Sequence, residues 1–249
     1  MINIGLQPEY VLSIFGLSIS NTFFTSVLVT IILSILAIIY YSSRDAKNKN
    51  FFDSAARVII YELLKLIDTV TEDRKLSKKV LPLVITFFLF IVTANLLALL
   101  PGFLGSFYVK TASGNISLLR SPNSDLTITV ALALFSVLSI QFFSLRILGI
   151  KKYIGRFLNF TNPINFILGF FELLSECVKI LSFSFRLFGN IFAGEVLLLV
   201  TAFLIPYVIP VPFMILEVFV GIIQALIFAV LTLTFVETST MRHIRSEDA

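Results

Sequence analysis

The chain has 249 residues, 57% of them hydrophobic and only 14% charged, with a mean hydropathy of +0.98 and a formal charge of +4. Soluble domains carry about 25% charged residues, and a soluble core of this size has no room for 27 Phe, so the composition points to a polytopic membrane protein. The single cysteine, Cys177, excludes an internal disulfide, and the distribution of the positive charge accounts for it without nucleic acid.

Five apolar segments follow in order: residues 22–41, 80–100, 126–147, 164–205 and 213–240. Between the first two lies a stretch in which Phe51, Phe52, Ala55, Val58, Ile59, Leu63, Leu66, Ile67 and Val70 recur at helical spacing. Asp53, Arg57, Glu62, Lys65 and Asp68 fill much of the rest. That pattern predicts an amphipathic helix, lying on the cytoplasmic membrane face or packed against partner subunits. The fourth segment is about twice as long as the roughly 30 Å hydrocarbon core requires, which predicts a steep tilt unless Gly169, Gly189 or Gly194 bends it. Pro206, Pro210 and Pro212 end it in a turn before the last segment.

Orientation follows from the 19 Lys and Arg. Alternate connections carry nine (42–79), four (148 and its flanks) and two (the C-terminal tail). The N-terminal tail and the proline turn carry none, and the remaining connection carries only Lys110 and Arg120. The positive-inside rule places the N-terminus outside and the C-terminus in the cytoplasm.

Two cations remain within the fourth segment, Lys179 and Arg186. An arginine at membrane depth costs roughly 2.5–3.5 kcal/mol on insertion scales, and a guanidinium cannot shed its charge. Ser182, Arg186 and Asn190 fall at four-residue intervals on one face, with Glu172 near it four turns earlier. Glu195 points to the opposite side. In the last segment Glu217 and Gln224, seven residues apart, share a face. An antiparallel hairpin about the proline turn sets Glu195 level with Glu217, and Arg186 level with Gln224 deeper in. Carboxylates in an aqueous vestibule pass protons or guide cations, and a fixed cation beyond them blocks direct passage. Ser175, Ser182 and Ser184 have an alternative role in bonding helices together. For Glu172, Glu176 and Lys179 the alternative is a solvated cluster at the cytoplasmic end. No inverted repeat suggests a secondary transporter, and the only histidine, His243, lies in the charged tail.

The stretch Ser-Phe-Arg186-Leu-Phe-Gly-Asn190-Ile-Phe-Ala-Gly-Glu195 resembles the signature of subunit a of F-type ATP synthases, and Glu217 with Gln224-Ala-Leu-Ile-Phe resembles that family's second signature. Pro163-Ile-Asn, Asn95-Leu-Leu-Ala98-Leu-Leu-Pro101-Gly and Pro122-Asn-Ser-Asp125-Leu-Thr stand in the order the family requires. The resemblance covers about residues 80–240 and departs from some bacterial members at Ala98, where they have an aspartate.

What the resemblance implies is a stator subunit of the Fo sector beside a ring of c subunits, held by the b-subunit peripheral stalk within the whole F1Fo ATP synthase. Two offset aqueous half-channels serve the carboxylates of the ring. Arg186, assisted by Gln224, separates them. Glu195, Glu217 and Asp125 line the outer half-channel, and Glu172, Ser182 and Asn190 the inner one. The transported ion is H⁺ or Na⁺, with no cofactor, no metal site, no nucleic-acid partner and no nucleotide site on this chain. A bacterial plasma membrane is the expected location, an organellar inner membrane the alternative. The fold class is then all-α: about five membrane helices plus an interfacial helix, ending in a long, steeply tilted antiparallel hairpin. Residues 1–79 hold the external tail, first membrane helix and amphipathic helix. Residues 80–249 form the ion-translocating domain.

Overall fold

The structure is a computed structural model that describes residues 10–14, 17–43, 51–71, 73–99, 108–111, 114–117, 120–150, 153, 155, 163–205 and 208–241. Six long helices carry the fold: α1 (Asn21–Ser43), α2 (Phe51–Thr71), α3 (Arg74–Leu99), α4 (Leu126–Leu148), α5 (Pro163–Leu204) and α6 (Pro210–Met241). All except α2 are long and apolar enough to cross a membrane, so the body is an all-helical, polytopic membrane fold as expected. Two short antiparallel hairpins accompany it, β1 (Tyr10–Ile14) with β2 (Leu17–Ser20) and β3 (Tyr108–Thr111) with β4 (Gly114–Ser117). Neither hairpin was foreseen, because four- and five-residue strands leave little periodicity to read.

Local chemistry fixes the helix starts. Ser20 Oγ accepts from the Phe23 amide at the head of α1, and Asp73 Oδ1 from the Lys75 amide at the head of α3. A 3-10 turn, Pro122–Ser124, delivers Asp125 to the N-cap of α4, where its Oδ1 accepts from the Thr127 amide at 2.8 Å. α4 stops at Gly149, whose φ of 80° favours glycine and whose amide bonds back to Leu145. The proline turn is shorter than expected. α6 takes Pro210 and Pro212 into its first turn, where a missing N–H leaves no helical bond unmade.

α5 stays helical for 42 residues, through Gly169, Gly189 and Gly194. At 1.5 Å per residue it is about 63 Å long, twice a hydrocarbon core of roughly 30 Å. α6, with 32 residues, returns beside it.

The helices pack around α6. α3 lies along it most extensively, and α4 wedges between α5 and α6. One apolar cluster joins Ile67 of α2 and Val80 and Val84 of α3 to Ile140 of α4 and to Ala229, Leu233 and Val236 of α6. The amphipathic α2 thus folds its apolar stripe onto α3 and α6. A second cluster gathers Phe87 and Ile91, Ala133, Phe183 and Leu187, and Ala225 and Phe228. Its rings meet at 4.9 Å (Phe183–Phe228) and 5.3 Å (Phe87–Phe228). Small hydroxyls tie α4 to α6, Ser136 to Thr232 at 2.9 Å and Ser144 to the Ser239 carbonyl. α1 stands at the edge, with Val29 buried and Ile31, Ile35, Ile38 and Ile39 exposed, an apolar surface suited to lipid.

Candidate functional site

α5 divides lengthwise into two sides. Phe183, Leu187 and Ile191 point into the core, each at most 3% exposed. Ser182, Arg186, Gly189 and Asn190 are exposed along the other side. Phe185 and Leu181 are exposed beside them. Arg186 Nη2 donates to Ser182 Oγ at 3.2 Å, a neutral partner one turn away. Among the described residues no carboxylate of the chain pairs with this guanidinium.

Gln224, buried on α6, is not its partner either. Its amide oxygen accepts from Asn190 Nδ2 at 2.9 Å. This bond ties the exposed polar stripe of α5 to α6.

Glu195 and Glu217 come together on the opposite side, as expected from the hairpin. Both line a cleft with Asn95, Ala98, Leu99, Ile191 and Leu198. A Cβ on Gly194 would overlap the Glu217 carboxylate, so glycine is what lets that side chain lie against α5. Glu195 carries a partner that the spacing of the sequence did not reveal. Arg120, from the connection ahead of α4, places its Nε 3.5 Å from Glu195 Oε2, with the two side chains 17% and 11% exposed.

Asn95 closes the cleft from α3. Its Nδ2 donates to the Gly221 carbonyl at 3.1 Å and its Oδ1 accepts from Asn123 Nδ2 at 2.6 Å. Gly221 permits this approach, since a Cβ there would stand 3.1 Å from the Asn95 Cβ. In the sequence Asn95 stands out only as the start of its motif and Arg120 only as a charge in a connection. An asparagine in an apolar segment was the available signal for the first. Nothing local marks the second.

Asp125 does not join the carboxylate pair. One oxygen caps α4 and the other accepts from Thr22 Oγ1 of α1 at 2.7 Å, with the side chain buried. Glu172 is half-buried four turns before Arg186 on α5. The solvated cluster read for Glu176 and Lys179 is a buried pair in the structure. Lys179 Nζ donates to Glu176 Oε1 at 2.7 Å and lies 4.7 Å from the centre of the Phe235 ring, with both side chains under 15% exposed. The packing of α6 against α5 excludes the solvent that an isolated helix would have offered.

From Glu172 to Glu195 the polar positions extend about 35 Å along α5, close to one hydrocarbon thickness. Chemically, the arrangement offers a carboxylate cleft near one end and, about 13 Å away along the axis, an exposed cation with no carboxylate beside it among the described residues.

Comparison with known proteins gives a consistent result. The family described as ATP synthase A chain matches residues 23–237. A protein named ATP synthase subunit a from Moorella thermoacetica is 31% identical over 218 residues, covering 86% of this chain and 88% of its own. One of the same name from Desulforamulus reducens is 33% identical over 251 residues, covering 94% and 86%. Another from Legionella pneumophila (strain Corby) is 27% identical over 239 residues, covering 96% and 94%.

Proposed function

The chain belongs to the ATP synthase A chain family, and on that premise we propose that it is the stator half of a rotary ion pathway. Ions, H⁺ or Na⁺, reach the Glu195–Glu217 cleft from outside and pass to carboxylates on a ring of c subunits. They leave towards the cytoplasm past Asn190, Ser182 and Glu172. Arg186 stands between the two routes. It attracts a ring carboxylate that has lost its ion and denies ions a direct passage. The complex is an F1Fo ATP synthase with a b-subunit stalk, and nucleotide chemistry resides on its other subunits. The N-terminus lies outside and the C-terminus in the cytoplasm of a bacterial plasma membrane.

The observation that carries this reading is the outward position of Arg186. A permanent charge on the exposed face of a membrane helix, bonded among the described residues to a hydroxyl and to no carboxylate, fits a charged partner on another chain. The length of α5 supports it too, because a helix about 63 Å long presents a broad face to such a partner.

The test is Arg186→Ala in the assembled enzyme. Coupled ATP synthesis is expected to be lost while the chain still assembles with the c-ring. Undiminished ATP-driven ion pumping by that variant in membrane vesicles would remove the role given to the guanidinium.

A further inference from the structure

The connection from Arg120 to Asp125 leads to α4 yet has the burial of a core. Ser121, Asn123, Ser124 and Asp125 are each 5% exposed or less. It is held from two directions. The Arg120 amide donates to Thr25 Oγ1, and Thr22 Oγ1 donates to Asp125, both from α1. Asn123 donates to Asn95 on α3. A backbone fixed in this way sets where the Arg120 side chain begins, and that side chain ends at Glu195.

We propose that Arg120 is a positioning residue for the outer ion pathway: it holds Glu195 by one carboxylate oxygen, leaving the other to exchange ions with Glu217 across the cleft. This rests on the half-channel reading above. Glu195 Oε2 takes the guanidinium, whereas Oε1 is buried without a hydrogen-bond donor from the described residues. Ser121 and Ser124 lie beside the same carboxyl. The ionisable groups around Glu195 are Arg120 from the connection and Glu217 from α6; α3 brings the neutral Asn95, Ala98 and Leu99. Without Arg120, two carboxylates would share one cleft with no cation, and Glu195 would turn away from its like-charged neighbour.

The experiment uses the intact synthase in proteoliposomes and measures ATP synthesis driven from the outer face. Outer H⁺ is varied at fixed Na⁺, and outer Na⁺ at fixed pH. Arg120→Gln is expected to raise the half-saturating concentration of the driving ion about tenfold and leave the maximal rate within about twofold. Arg120→Lys, which keeps the charge, is expected to recover part of that rise. The double variant Arg120→Gln/Glu195→Gln is expected to match Glu195→Gln alone, as coupled partners do.

An unchanged half-saturating concentration in Arg120→Gln overturns the proposal, as does a fall in maximal rate alone. Should Arg120→Gln fail to assemble, the double variant decides. Assembly at the level of Glu195→Gln supports the pairing, because removing both charges leaves nothing uncompensated. Failure of the double variant, with Glu195→Gln assembled, assigns Arg120 to the fold and overturns it. Pumping that survives Arg186→Ala would instead sink the parent reading. Loss of pumping there, with Arg120→Gln indistinguishable from the parent enzyme, sinks this inference only.

Discussion

Lys179 and Arg186 sit seven residues apart on one helix, nearly in line along its surface, and the fold treats them oppositely. Lys179 is folded against α6, salt-bridged to Glu176 and laid over Phe235. Arg186 is exposed and, among the described residues, meets Ser182. The first charge is neutralised within the subunit and serves its architecture. The second has no carboxylate beside it among the described residues. A cation in a membrane helix is therefore to be read by what compensates it, and the guanidinium suits the outward role because its planar fork holds a carboxylate in one geometry.

Arg186→Lys breaks the comparison most severely, by putting the same chemistry at both positions. ATP synthesis by the assembled enzyme is expected to fall at least about 100-fold, since an ammonium keeps the charge and loses the bidentate fork. Synthesis within tenfold of the parent would mean that charge alone suffices. Glu176→Gln acts on the other cation. Stranding Lys179 beside an amide is expected to destabilise the subunit by about 3 kcal/mol, read as a lower melting temperature of the detergent-solubilised complex. Transport per assembled complex is expected to stay within twofold, and a selective loss of transport would give this pair a part in the ion path. Ser182→Ala is the smallest change. One neutral hydrogen bond is worth about 1 kcal/mol, so the rate is expected to drop by a few-fold at most. A loss as deep as that of Arg186→Ala would show that the hydroxyl, rather than an outside partner, sets the guanidinium.

Much of this architecture is legible in the sequence. Apolar runs locate the five spans to within a few residues, except that α3 begins six residues before its apolar run, at Arg74. The positions of Glu195 and Glu217 follow from folding two regular helices about the proline turn. Legibility ends where helix rotation and distant segments decide. Gln224 takes its hydrogen bond from Asn190, a partner that the spacing along either helix alone does not single out. Spacing brings Glu176 and Lys179 together, but their burial depends on Phe235 from another helix. Arg120 is 75 positions from Glu195, and only the three-dimensional path of the connection before α4 joins them. Asp125 caps α4, a role that the four residues after it announce only weakly.

One further consequence concerns how these two helices can change over evolutionary time. The side chain of residue 217 fills the volume that a side chain at 194 would need. The two sites are thus one slot with two owners. Any lineage that enlarges the first must shrink the second or move its carboxylate elsewhere.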